Sequence, residues 1–152
     1  MRIMHAMTQD YSSHTPLPTP VAPLRIASWN LENFGSNAEG QTNKRRKIAE
    51  AIAGDLRNPH IIALQEVWDD SGAADDGVVS AEKNMAGLIA AIKEAGGKDY
   101  RYVEIAPENN KDGGRPGSNI RCGYLYRPDR VAIAAGTTTE NPRPEAVLEA
   151  AS

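Results

Sequence analysis

The sequence predicts an α/β fold in which helices cover one face of a single mixed sheet. Segments with strand and helix patterns follow one another in the order strand, helix, strand, helix, strand and hairpin. A composition of 40% hydrophobic and 24% charged residues over 152 positions is typical of one globular domain. The apolar run Ile61–Val67 follows Pro59 and is typical of a strand that is buried on both faces.

Composition divides the chain into three parts. Residues 1–23 are rich in Pro, Thr and Ser and are predicted to be an extended linker. Residues 24–135 hold the regular patterns and form the predicted domain, whereas residues 136–152 are predicted to be an irregular tail. The sequence shows neither a signal peptide nor an apolar stretch of membrane-spanning length, so we expect no membrane span and predict no location.

Charge and cysteine content exclude several classes of protein. A net charge of −3 provides no general basic surface for non-specific binding of nucleic acid. Any phosphate-bearing substrate must therefore be held by a local site or by a metal. The single cysteine, Cys122, excludes an intramolecular disulfide framework and a Cys-rich zinc site. No feature of the sequence indicates an obligate protein partner.

The first strand is predicted over residues 24–31, where Ile26 and Asn30 share one face because side chains alternate along a strand. The strand delivers Asn30 and Glu32 at its end. Residues 33–37 are then predicted to be a loop, since Asn and Gly are typical of turns.

The first helix is predicted over residues 42–54, where Ile48 and Ile52 recur at helical spacing and Gly54 marks the end. Its first turns carry the basic run Lys-Arg-Arg-Lys at 44–47. Such a run can attract phosphate, but on a helix it is more often a solvated face, and the sequence leaves both interpretations open.

The second helix is predicted to begin after Ser80, which can cap it, and to end at Ala95 before two glycines. Met85, Leu88, Ile89 and Ile92 give it one buried face. The segment 69–77 before this helix carries four aspartates and is predicted to be a solvated loop, with a calcium site as the less favoured alternative.

Two further strands are predicted over residues 100–105 and 119–126. Asn119 and Arg121 fall on one face of the second of these strands. The turn-forming segment 127–130 leads into Val-Ala-Ile, which is predicted to complete a hairpin.

The strand Ile61–Val67 ends in Gln65-Glu66, where an open α/β sheet places its ligands. A carboxylate at this position is costly unless something compensates it, and a hard divalent cation does so with oxygen ligands. The alternative is a glutamate that has simply reached solvent.

Three motifs together resemble the first half of the endonuclease/exonuclease/phosphatase superfamily. They are Ser-Trp-Asn-Leu-Glu-Asn at 28–33, the strand Ile61–Val67 with its Gln-Glu end, and the segment Asn-Ile-Arg-Cys-Gly-Tyr-Leu-Tyr-Arg-Pro-Asp-Arg-Val at 119–131. The loops at 75–77 and 112–117 look most like the bacterial, often secreted, nuclease-like branch.

The resemblance implies a fold and a set of roles. The fold is the first half of a four-layer α/β/β/α sandwich of the deoxyribonuclease type. By the resemblance, Glu66 binds the catalytic Mg²⁺, with Mn²⁺ or Ca²⁺ as alternatives, and Asn30 binds phosphate or orients the catalytic groups. Asn119 and Arg121 are the further expected phosphate ligands, and for Arg121 a plain strand-surface arginine is the alternative.

The function that the resemblance implies is metal-dependent hydrolysis of phosphodiesters, with nucleic acid as the expected substrate. A phosphatase or a sphingomyelinase-type phosphodiesterase of the same superfamily is the first alternative. The family's later Asp-x-Asn and Asp-His motifs do not occur in the 152 residues, and the three histidines, His5, His14 and His60, stand in other contexts. We therefore expect the N-terminal half of a hydrolase domain that is inactive by itself.

A non-catalytic fragment is the second alternative. In half a sandwich, one sheet face would lack its partner layer. The exposed face would then include Trp29 or the apolar side of residues 120–126.

Overall fold

A computed structural model describes residues 23–35, 40–112 and 115–133 of the chain. These residues contain β1 (Ile26–Phe34), α1 (Gln41–Ala53), β2 (Ile61–Val67), α2 (Glu82–Glu94), β3 (Arg101–Glu104) and β4 (Arg121–Tyr126). The strands form one sheet in the order β1-β2-β4-β3, in which β1 and β2 are parallel and β4 is antiparallel to both of its neighbours. The predicted α/β class with one mixed sheet is confirmed. The predicted tail and nearly all of the predicted linker lie outside the described residues.

Both helices pack against the same face of the sheet, as predicted. The crossover β1-α1-β2 joins two parallel strands, and α1 and α2 contact each other above them. In the described ranges, no helix is long and apolar enough to span a membrane. The core between helices and sheet holds Leu31, Phe34, Ile48, Ala49, Ile52, Ile62, Leu64, Val67, Ala81, Met85, Leu88, Ile92, Tyr100 and Leu125.

The opposite face of the sheet is uncovered by any described element. Ile26 is 66% exposed and Tyr124 is 50% exposed on this face. In β2, Ile61 and Ala63 are only half-buried, so the prediction of a strand buried on both faces is wrong for the described structure. The apolar side of 120–126 lies on this open face, as predicted for half a sandwich, whereas Trp29 packs against the helix-covered core. The second sheet of the sandwich stays a prediction.

The predicted hairpin after β4 is wrong, because residues 131–133 do not form a strand. Both edges of β4 already pair, one with β2 and one with β3, which leaves no edge for a further strand. The carbonyl of Arg127 instead accepts from the amides of Arg130 and Val131 and closes a tight turn. The other predicted elements form, with ends shifted by up to three residues.

Candidate active site

The structure brings together Asn30 and Glu66 where the regular pairing between two neighbouring parallel strands ends. Asn30 on β1 is paired in register with Gln65 on β2, so the next residue along β2 lies beside it. Asn30 Nδ2 donates to Glu66 Oε1 at 2.8 Å. Gln65, which the sequence also places at this strand end, does not contact Glu66 and instead donates to Ser28 Oγ at 3.0 Å.

Irregular pairing on both sides of β2 orients Glu66. Between the pairs Asn30–Gln65 and Phe34–Val67, three residues of β1 lie opposite Glu66 alone. On the β4 side, Gln65 and Glu66 lie opposite the single residue Cys122. Bulges of this kind redirect side chains, and they are common beside active sites. Here they turn the carboxylate towards Asn30 and away from the ordinary alternation of the strand.

The backbone at the site adopts the left-handed conformation at three residues other than glycine. The φ angles are 51° at Glu32, 60° at Asn33 and 57° at Glu66. This conformation is uncommon for residues with a Cβ and persists only where the surrounding structure enforces it. Three of the seven such residues in the described ranges lie here, and the others include Arg57, Asn58 and Asn119.

The Glu66 carboxylate is half-buried and retains unused hydrogen-bonding capacity. Oε1 accepts from Asn30 and Oε2 accepts from the backbone amide of Asn33 at 3.1 Å. Each carboxylate oxygen has two lone-pair positions, and residues 23–35, 40–112 and 115–133 fill only one on each, which leaves one position for a ligand. Asn30 is itself held, because its Oδ1 accepts from the amide of Glu32 at 2.8 Å.

The donor set fits a hard cation that keeps most of its water. Mg²⁺ is typically bound through one or two carboxylates and retains several waters. Glu66 provides one such carboxylate with open positions on both oxygens. Within residues 23–35, 40–112 and 115–133, no group of three or more His, Cys, Asp or Glu side chains is placed to hold a metal. A cation at this site would therefore rest on Glu66 as its main described ligand.

Asn33 is a site residue that sequence reasoning missed, since it was predicted to be part of a loop. Its amide binds Glu66, and its Oδ1 accepts from Trp68 Nε1 at 3.1 Å. The ring of Trp68 packs closely on Gly35, where a Cβ would lie 2.9 Å from the nearest ring carbon. The Asn-Phe-Gly sequence at the end of β1 is the local signal for this arrangement. Trp68 thus fixes the segment that presents an amide to the carboxylate.

Asn119 lies in a buried network away from Glu66. It is 1% exposed, and its Nδ2 donates to Asp69 Oδ2 at 3.0 Å and to the carbonyl of Val78 at 2.8 Å. Its Oδ1 accepts from the amide of Asn110 at 2.9 Å. With a φ of 42°, it precedes β4 and is not part of the strand. These contacts fix two loops to each other.

Arg121 is also buried, so the strand-surface alternative for this residue is wrong. Its side chain is 2% exposed and pairs with Glu104 at 2.9 Å. Nε and Nη2 both donate to the carbonyl of Asn119, at 3.0 and 2.9 Å. All three guanidinium nitrogens therefore have protein acceptors. These contacts favour a structural role for Asn119 and Arg121, and phosphate binding by either stays a prediction.

The acidic loop after β2 is solvated only in part, so its prediction needs correction. Asp69 is fully buried, and its Oδ1 accepts from the amides of Ser71 and Gly72 at 3.0 and 2.8 Å. Asp70 Oδ1 accepts from the amide of Asn84 at 2.8 Å and so caps α2 together with Ser80, whose Oγ accepts from the amide of Glu82 at 3.1 Å. Residues 73–77 are exposed as predicted.

Comparison with known proteins confirms the resemblance. A family model described as the Endonuclease/Exonuclease/phosphatase family matches residues 27–151, a range that includes Asn30, Glu66 and most of the sheet. A search among curated proteins found no match. The matched range spans more than half of the chain. The chain therefore belongs to the endonuclease/exonuclease/phosphatase family.

Proposed function

We propose that the site formed by Asn30 and Glu66 hydrolyses phosphodiester bonds of nucleic acid with the help of a bound divalent cation. Membership of the family implies hydrolysis of phosphate esters in general. The narrower substrate and the cation are our proposal. The observation that supports them is the contact of 2.8 Å between the Asn30 amide and the Glu66 carboxylate, at strand ends distorted by bulges and left-handed backbone.

Glu66 would hold the cation, since its two oxygens each have one open lone-pair position. A Mg²⁺ ion held by Glu66 would supply positive charge to stabilise the phosphate oxygens and to lower the pKa of a water molecule. The contacts from Asn30 and from the Asn33 amide keep the carboxylate in one orientation, so that little reorganisation is needed when a ligand arrives.

Asn30 would contact the substrate directly. Its amide nitrogen carries two hydrogens, and only one of them is used in the bond to Glu66. The residue is exposed, so the second N–H is available to a phosphate oxygen. Because Oδ1 is fixed by the amide of Glu32, the direction of this N–H is set before the substrate binds.

The direct test is the substitution Glu66→Gln in a protein that carries the complete hydrolase domain. The change keeps the size of the side chain and removes its charge. Cleavage of plasmid DNA in Mg²⁺ should fall by about 100-fold or more, a loss typical of removing a main electrostatic group from a site of this kind. The matched control is Glu94→Gln, which makes the same change at an exposed position near the end of α2. Equal cleavage by wild type and Glu66→Gln would overturn the proposal.

Substrate class is tested in the same assay. Plasmid DNA, an RNA oligonucleotide, sphingomyelin and p-nitrophenyl phosphate are compared at equal protein concentration. The proposal predicts cleavage of the nucleic acids with sensitivity to Glu66→Gln. Preferential hydrolysis of sphingomyelin or of the phosphomonoester would support the alternative activities within the family and contradict the proposed substrate.

A further inference from the structure

A cleft of about 400 Å³ opens beside Asn30, between the end of β1 and the side of α1. Its floor is apolar, formed by Trp29, Leu31, Ile48 and Ala51. Its polar lining consists of Asn30, Glu32, Lys44 and Lys47. The cleft adjoins the proposed active site, because Asn30 lines the cleft and contacts Glu66.

The structure divides the basic run 44–47 into two pairs with different surroundings. Arg45 lies over the ring of Phe34, with its guanidinium carbon 5.9 Å from the ring centre, and Arg46 forms an ion pair with Glu50 at 2.6 Å. The two lysines instead line the cleft. Neither a solvated face nor a phosphate-binding run describes all four residues.

The two lysines differ in how they are held. Lys44 Nζ donates to the carbonyl of Glu32 at 2.6 Å. This contact places one positive charge beside Glu32 and Asn33, whose backbone is left-handed. Lys47 is exposed and has no hydrogen-bond or ion-pair partner among the described residues. The positive charge of Lys47 thus forms no described interaction within the fold, and Lys47 lines the same cleft as Asn30, which we assign to phosphate binding.

We propose that this cleft binds the nucleotide next to the scissile phosphodiester, with Lys47 contacting the neighbouring phosphate and Lys44 contributing to the same positive field. This inference rests on the proposed function, since it places the reacting phosphate at Asn30 and Glu66. An extended substrate with a phosphate at each unit is the ligand that a second cationic position beside the site would recognise. The apolar floor suits the sugar or the base of that unit.

Glu32 indicates why a nucleotide fits better than a bare phosphate. Its carboxylate is exposed and lines the same cleft, so two lysines and one glutamate leave a net charge of +1. A carboxylate repels phosphate, but it accepts hydrogen bonds from a sugar hydroxyl or a base amine. A ligand that carries both a phosphate and such a donor satisfies all three side chains.

The test measures binding of a fluorescein-labelled single-stranded octanucleotide in EDTA by fluorescence anisotropy, with the variant Lys47→Gln. Since this lysine has no described partner, the fold should be unaffected. Affinity should fall by about three- to tenfold at low salt, and the slope of log affinity against log salt should decrease by about 0.7, the value for one phosphate contact on a single strand. Lys47→Arg should restore most of both.

The matched control is Lys98→Gln, because this lysine is exposed and follows α2 at the opposite end of the strands, where its backbone amide donates to the Asn58 side chain. It should retain wild-type affinity and salt slope. Wild-type binding by Lys47→Gln, or an equal loss in Lys98→Gln, would overturn the inference. The inference would also be overturned if Lys47→Gln weakened binding to anionic phospholipid vesicles but left binding to the octanucleotide unchanged. Because binding is measured without divalent cation, its outcome is independent of whether Glu66→Gln abolishes cleavage.

Discussion

Two polar clusters of the same residue types differ in how fully their hydrogen bonds are satisfied. Asn30 and Glu66 contact each other, but the part of the chain that the structure describes leaves one open position on each carboxylate oxygen and one open N–H on the amide. In the loops before β4, Asn119 and Asp69 also contact each other, at 3.0 Å, but both are buried and surrounded by further donors and acceptors. The comparison indicates that unfilled hydrogen-bond positions, more than residue type, distinguish a candidate binding site from a structural cluster.

The buried cluster extends through Arg121 to Glu104 and Tyr102. The Tyr102 hydroxyl donates to Glu104 Oε2 at 2.5 Å, while Arg121 donates to Oε1 at 2.9 Å. Burial and this hydrogen bond raise the pKa of Tyr102 well above its ordinary value. A network of this kind rigidifies the fold only while every member is satisfied, so loss of one member should reduce stability strongly.

The largest effect on stability is expected for Arg121→Met. Removing one partner of a buried ion pair typically costs about 3–5 kcal/mol, because the other charge stays buried. Urea unfolding of the variant should show a loss of this size, with Arg101→Met as control, since that arginine lies exposed on β3. A loss below about 1 kcal/mol, the value for surface pairs, would contradict the assignment of a structural role.

A smaller loss is expected for Asp69→Asn. An amide in place of the carboxylate puts an NH₂ group against either the Asn119 amide or the donors from Ser71 and Gly72. One unsatisfied buried group costs about 1–3 kcal/mol of unfolding free energy. Asp55→Asn, at an exposed position after α1, serves as the control. Unchanged urea midpoints for both variants would show that the buried cluster is not structural.

A third polar cluster lies at the opposite end of the strands, around His60, just before β2 begins. The residue is 4% exposed, and its Nδ1 accepts from the backbone amide of Arg25 at 2.9 Å. Its Nε2 lies 3.4 Å from the Arg130 guanidinium. Burial and the charges of Arg130, Arg127 and Arg25 lower the pKa of His60 below its usual 6.5, with Asp129 acting weakly in the opposite direction.

This cluster gives the smallest predicted effect, a dependence of stability on pH. Because the folded state disfavours protonation of His60, the unfolded state binds more protons as the pH falls through 6.5. Urea midpoints of the wild type should therefore decrease from pH 7 towards pH 5 and level off below the folded-state pKa. His60→Gln should lose this component, and the same pH profile in both proteins would contradict it.

The sequence predicts the local elements well because their signals are local. The spacing of Ile48 and Ile52 and that of Met85, Leu88 and Ile92 define helix faces that the structure confirms. The prediction of a hairpin after β4 was wrong for a reason that cannot be seen in the local sequence. Whether residues 131–133 can pair depends on β2 and β3 having occupied both edges of β4.

The candidate site could be predicted in part for the same reason. Asn30 and Glu66 each end an apolar run, and parallel neighbours bring such ends together. The backbone amide of Asn33 could not be predicted, since every residue but proline carries one and the bulge decides where it points. Likewise, only the positions of Phe34 and Glu50 separate Arg45 and Arg46 from the two cleft lysines.

The most direct test measures cleavage and urea unfolding on one preparation of the Glu66→Gln variant, made in a protein that carries the complete hydrolase domain. The contacts of Glu66 are half-exposed, so water can replace them, and the free energy of unfolding should change by less than about 1 kcal/mol. Cleavage of DNA in Mg²⁺ should nevertheless fall by about 100-fold or more. Cleavage at the wild-type rate, or a loss of cleavage accompanied by unfolding like that of Arg121→Met, would contradict the distinction between an open site and a buried structural network.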